Sequence, residues 1–120
     1  MKALSKKFLV MGIILLVIGA FGASVLAAEP EVIKISAKRF EYNPKEITLK
    51  KGVPVILEFT SLDRLHGFRC SGLGIRTDIK PGQAARVPVT PQKGGDFEFH
   101  CDNFCGSGHG NMAGVIHVVE

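Results

Sequence analysis

Short runs of alternating apolar and polar residues cover most of this chain, cut at intervals by Gly, Pro and Lys-Gly pairs. Val32-Ile33-Lys34-Ile35-Ser36 opens the series, and Glu46-Ile47-Thr48-Leu49-Lys50 alternates strictly before a Lys51-Gly52 turn. The run Val53 to Thr60 puts Val53, Val55, Leu57 and Phe59 on one face. Pro81-Gly82-Gln83 punctuates the chain before Ala85 to Val89, and Gly94-Gly95 does so before Asp96 to His100. Gly114 to Val119 closes it. Period-two alternation bounded by turn residues predicts strands, and many short strands at this spacing predict an all-β sandwich or barrel. Pro54 and Pro88 fall inside strand patterns, which assigns those segments to edges or bulges because proline cannot donate to a ladder.

The first 27 residues break the alternation. Lys2, Lys6 and Lys7 form a basic head, Phe8 to Leu26 is uncharged and apolar, and Val25-Leu26-Ala27 offers the small residues of a cleavage site. That is the layout of an export signal. The run is close to the ~20 residues that span a bilayer, so one N-terminal hydrophobic helix is expected, as a cleaved signal or a retained anchor. Glycines at 12, 19 and 22 and the Ala27-Ala28 junction favour cleavage. Either way, a single domain over 28–120 is expected outside the cytoplasmic membrane, periplasmic or otherwise extracytoplasmic, secreted or anchored.

Charge adds little. The formal net charge is +4 and the pI about 9.1. Three of the fifteen Lys and Arg lie in the leader, so twelve remain against eleven acids. A nearly neutral domain with no Trp and one Tyr is a poor nucleic-acid binder. There is no nucleophile–base pattern and no phosphate loop, so independent catalysis is not expected. A domain this small is marginally stable by burial alone, and a bound metal would add to its folding free energy.

The chemistry is concentrated in Cys101-Asp-Asn-Phe-Cys105-Gly-Ser-Gly-His109-Gly-Asn-Met112. Thiolate and thioether suit Cu(I), and imidazole tolerates both copper oxidation states. The expected strands on either side place this segment on one loop at an end of the sandwich. One loop supplies a full ligand set poorly, and His66, expected where a strand enters a loop, is the natural remote partner. Alternatives stay open on the residues alone. A Cys101–Cys105 disulfide would leave Cys70 free and close a small loop of low entropic value. Zinc would use the same donors. A mononuclear blue-copper site would use Cys105, His109, Met112 and His66 and leave Cys101 idle.

Asp63-x-x-His66-x-Phe68, then Leu73-Gly74-Ile75-Arg76-Thr77-Asp78 with Pro81-Gly82, then Cys101-x3-Cys105-Gly106-x2-His109-x2-Met112 closely resembles the copper domain of cytochrome c oxidase subunit II. The same ligand spacing occurs in the copper domain of nitrous-oxide reductase. The resemblance covers roughly 45–119 and implies a cupredoxin-like Greek-key β-sandwich carrying a dinuclear, mixed-valence CuA centre. On that reading Cys101 and Cys105 bridge two copper ions, His66 and His109 each hold one, and Met112 and the Asn103 carbonyl are weak axial ligands. Such a centre relays single electrons, from cytochrome c or another small donor to a membrane oxidase or reductase. Three departures stand out. Asn103 replaces the family's usual Glu, which removes a magnesium-binding carboxylate. There is no Trp for electron delivery, and at most one membrane helix where two are normal. A free-standing or singly anchored relay, or a minimal oxidase subunit, is therefore expected. The functional alternative is a copper carrier or chaperone. Phe68, Phe99 and Phe104 are expected to wall the site and slow exchange. Cys70 is expected in the core, His100 in solvent and His117 as a structural histidine. Asp63 and Asp78 are candidates to orient His66.

Overall fold

A computed structural model describes residues 29–120. The expected N-terminal helix and cleavage site lie outside these residues. Among the described residues, no helix is long and apolar enough to cross a membrane.

Among the described residues nine strands run in chain order: β1 (Glu31–Lys38), β2 (Glu41–Asn43), β3 (Glu46–Lys50), β4 (Val55–Ser61), β5 (His66–Cys70), β6 (Ile75–Ile79), β7 (Ala85–Val89), β8 (Gly95–His100) and β9 (Ala113–Val119). They build a four-stranded sheet in the order β2-β1-β4-β7 and a five-stranded sheet in the order β3-β9-β8-β5-β6. β1 and β4 pair in parallel, as do β3 and β9, while the other pairs are antiparallel. The chain crosses repeatedly between the two sheets, as the Greek-key expectation required.

The alternation read from the sequence becomes the core. Ile47 and Leu49 of β3, Val55, Leu57 and Phe59 of β4, and Ile116 and Val118 of β9 all point inward and are buried. Each such side chain contributes about 1.5–3 kcal/mol when withdrawn from water. An aromatic cluster fills the centre: Phe68 lies 4.5 Å from Phe59 and 4.7 Å from Phe99, and Tyr42 meets Phe99 edge-on at 5.1 Å. Pairs of this kind add about 0.5–1.5 kcal/mol beyond the area they bury.

Pro88 sits on β7, an edge strand, as its missing N–H requires. Pro54 does not mark an edge. It falls just outside β4, which begins at Val55 and lies between β1 and β7, so the ladder loses no donor. Val53 is consequently left off the buried face, 45 % exposed. Strands β2, β5 and β6 were not anticipated. In β5, His66, Gly67 and Phe68 are buried consecutively, which erases the period-two signal. His66 is accordingly the first residue of β5, paired opposite Ile79, rather than a loop residue.

Candidate metal centre

β8 delivers the chain to Cys101, and β9 takes it away after Met112. The intervening loop is closed at its base by Cys101 N–H donating to the Met112 carbonyl at 3.1 Å. A short 3-10 turn, His109–Asn111, folds it back, with His109 N–H on the Gly106 carbonyl and Asn111 N–H on the Gly108 carbonyl, both at 3.1 Å. Gly106 adopts φ +139°, a conformation that side chains rarely tolerate.

Inside this loop the soft donors converge. The Cys101 and Cys105 sulfurs are 3.8 Å apart, nearly twice a disulfide bond length, so both are free thiols. Cys105 Sγ also lies 3.8 Å from Met112 Sδ and 3.6 Å from His109 Nδ1. Cys101 Sγ is 3.0 Å from the Asn103 carbonyl oxygen. Ligand atoms of His66, Cys101 and Cys105 fall within 4.8 Å of one another, and all three residues are buried. The six residues singled out in the sequence, His66, Cys101, Asn103, Cys105, His109 and Met112, are thus gathered at one end of the sandwich.

His66 carries the most telling detail. Its Nε2 is 2.6 Å from Asp63 Oδ1, while its Nδ1 is buried without a hydrogen-bond partner, the one such side-chain nitrogen or oxygen among the described residues. Buried polar atoms are seldom left unsatisfied. Asp63 also accepts the backbone N–H groups of Arg39 at 2.8 Å and Arg64 at 2.7 Å. Slight burial works to raise its pKa, but those N–H groups and the His66 ring outweigh it and hold the carboxyl down to about 2. An ionised Asp63 fixes the proton on Nε2, which leaves Nδ1 with a free lone pair. The thiols complete the picture: burial and the neighbouring Cys101 push Cys105 up to about 11. A buried thiol such as that of Cys105 resists ionisation unless a cation replaces its proton. Two thiols, a thioether and two imidazoles, one of them with an unpartnered nitrogen, form a donor set that fits copper.

The surrounding residues explain the shape of the loop. Tyr42 hydroxyl donates to the Gly67 carbonyl at 2.6 Å, and burial, with the two cysteines next, raises its pKa so that it stays a neutral donor. Gly67 N–H points at Cys101 Sγ at 3.4 Å. A Cβ on Gly67 would run into the Asp102 carboxylate and lie 3.3 Å from Asn103 N, so only glycine lets β5 and the loop approach this closely. Arg76 of β6 grips Asp102 through two hydrogen bonds, at 2.9 and 3.0 Å, and reaches Asp78 at 2.6 Å.

Some expectations need correcting. Phe104 does not wall the site: it is 75 % exposed, with its ring 5.8 Å from that of His109, because it sits at the outer tip of the loop. Phe68 and Phe99 do lie in the interior beneath. Asp78 does not orient His66; it bonds Arg76 and, at 3.0 Å, Asn103 Nδ2. Cys70 is buried core, His100 is exposed, and His117 bonds Asp96 at 2.7 Å and Glu46 at 3.3 Å. The roles of Tyr42, Gly67 and the Arg76–Asp102 pair were not read from the sequence. The one available signal was that Tyr42 is the sole tyrosine in a chain without tryptophan.

A β-sandwich with thiol, thioether and imidazole donors collected at one end defines a metal-binding domain of the cupredoxin class. The family model described as a cupredoxin-like domain matches residues 9–116, and this chain belongs to that family. Over 88 residues it is 34% identical to cytochrome c oxidase subunit 2 of Thermus thermophilus, a match covering 73% of this chain and 65% of that relative. The chain therefore spans just under two thirds of that protein. In fold it is similar to the periplasmic domain of subunit II of cytochrome oxidase (CoxB) of Bradyrhizobium japonicum, with a TM-score of 0.70 and 21% identity over 79% of this chain and 88% of that one. It is also similar to the metal-binding domain of the Cu(I)-exporting P-type ATPase CopA of Streptococcus pneumoniae D39, solved with Cu(I). That likeness has a TM-score of 0.57 and 27% identity over 78% of this chain and 92% of that one.

Proposed function

We propose that residues 28–120 form an extracytoplasmic electron-transfer domain holding a dinuclear, CuA-type copper centre, exported by a signal or anchor at residues 1–27. The observation that carries this reading is the pair of buried free thiols 3.8 Å apart, clustered with His66, whose Nδ1 is buried without a partner. On this reading Cys101 and Cys105 would hold both ions, His66 and His109 would hold one each, and Met112 and the Asn103 carbonyl would complete the set. Bound copper would supply one-electron exchange. The protein's part is to keep the donors still. Asp63 fixes the His66 tautomer, Gly67 N–H supports the Cys101 sulfur, and Phe68 and Phe99 exclude water from below. On this reading every donor would come from the protein, which would leave no open place for a substrate, unlike a catalytic metal site.

The likeness to cytochrome c oxidase subunit 2 supports a small redox donor such as cytochrome c and a membrane oxidase or reductase as acceptor. The likeness to the copper-loaded CopA domain favours a second reading, in which the domain hands Cu(I) to another protein. Repeated oxidation and reduction of copper-loaded protein in the presence of a Cu(I) chelator separates the two. A relay keeps its copper through many cycles, whereas a carrier loses it to the chelator on first reduction.

A further inference from the structure

The metal site is assembled from two stretches far apart in sequence, His66 on β5 and the loop 101–112. The segment Gly106–Gly108 belongs to no strand, so the sheet register does not hold it. The turn between β1 and β2 touches both stretches. Arg39 N–H donates to Asp63 Oδ2 at 2.8 Å, and the other oxygen of that carboxylate holds His66 Nε2. One residue later, the Phe40 ring lies against the loop. A Cβ on Gly106 would stand 2.8 Å from Phe40 Cε1 and Cζ, and a Cβ on Gly108 would stand 2.6 Å from Phe40 Cγ. The two glycines therefore form a slot for the ring, which also packs against the core. Leu62 N–H donating to the Ala37 carbonyl at 2.9 Å adds a third tie between β1 and the approach to His66.

We propose that the Arg39-Phe40 turn is a clasp for the site, with Phe40 the positioning residue that keeps the Gly106–His109 segment shut against the ligands. The functional part of this inference rests on the reading of loop 101–112 as a metal loop. The loop has few backbone hydrogen bonds of its own, so local opening is inexpensive unless something wedges it. Cys105 and His109 flank the wedged segment, so on this proposal the seated ring slows the passage of metal between them and solvent. Phe40 thus sets how fast metal enters and leaves, and leaves the number of ions held unchanged.

Amide hydrogen exchange on the metal-free full chain tests the clasp without copper. In Phe40→Ala, the amides of His109 and Asn111 are expected to exchange about tenfold faster than in the parent, while those of β4 change much less. Phe40→Leu, which keeps most of the apolar volume, is expected between the two and carries the test if the alanine variant does not fold. Equal acceleration in loop and β4, or none in either, would overturn the clasp. With Cu(I) bound, release to a chelator is expected to speed up in the same order with an unchanged copper count. An unchanged release rate refutes the gating role, whereas a parent protein that takes up no copper refutes the functional reading and leaves the exchange result standing.

Discussion

The two sources of ligands to this site are held in opposite ways. His66 is the first residue of a strand, completely buried, with its backbone paired in the β5–β6 ladder and its ring held at Nε2 by Asp63. The 101–112 loop has no ladder. It is closed by one backbone bond at its base, a 3-10 turn, the Arg76–Asp102 grip and the contact of Phe40 with two glycines. His109 is correspondingly only half-buried. A rigid anchor facing a lightly held loop suits a soft metal site: on the proposed reading the anchor would set the geometry and the loop would admit the metal.

Substitutions on each side put that contrast at risk. The largest effect belongs to the loop. Cys105 touches Cys101, His109 and Met112 at once, so Cys105→Ser is expected to abolish the parent spectrum of the two-thiolate copper centre, as read by visible spectroscopy after copper loading. Retention of the parent spectrum would remove Cys105 from the centre. On the anchored side, Asp63→Asn keeps the volume and loses the charge that fixes the His66 tautomer. Copper affinity is expected to fall about 10–100-fold, as removal of such supporting partners generally costs, and competition with a chelator measures it. A change smaller than twofold would mean that the strand alone orients His66.

Arg76→Ala removes the grip on Asp102 from a largely exposed position. Thermal unfolding is expected to show a loss of about 1 kcal/mol at most, shrinking further in high salt. A larger loss would make the loop more dependent on this pair than its exposure suggests. The smallest effect is remote from both ligand sources. His117 bonds Asp96 and Glu46 across β8, β9 and β3, and these carboxylates raise its pKa. Its folded pKa exceeds its unfolded one, so the stability it adds is fully present below the unfolded value near 6.5 and is lost as pH rises through the raised value. His117→Gln is expected to flatten that part of the stability–pH curve in urea titrations without altering the copper spectrum.

The sequence made the loop more legible than the anchor. Cys101, Cys105, His109 and Met112 declare themselves by residue type and spacing, and the alternation in β3, β4, β8 and β9 exposes the sandwich. β5 hides because His66, Gly67 and Phe68 are buried in succession, as a strand crowded on one face by a loop must be. The burden on Gly67 is invisible in sequence, since it comes from Asp102 and Asn103 more than thirty positions away. Phe40 was legible only as an apolar residue, and its contact with Gly106 and Gly108 depends on how β1 turns into β2. Phe104 misled because its character suits a wall while its place at the loop tip puts it in solvent.

The account turns on whether the Cys101 and Cys105 sulfurs are shared by two metal ions. Electron paramagnetic resonance of copper-loaded, partially oxidised protein, with copper counted per chain, addresses this directly. The expected result is two copper ions per chain and one unpaired electron coupled equally to both nuclei. One copper per chain, with coupling to a single nucleus, would contradict it.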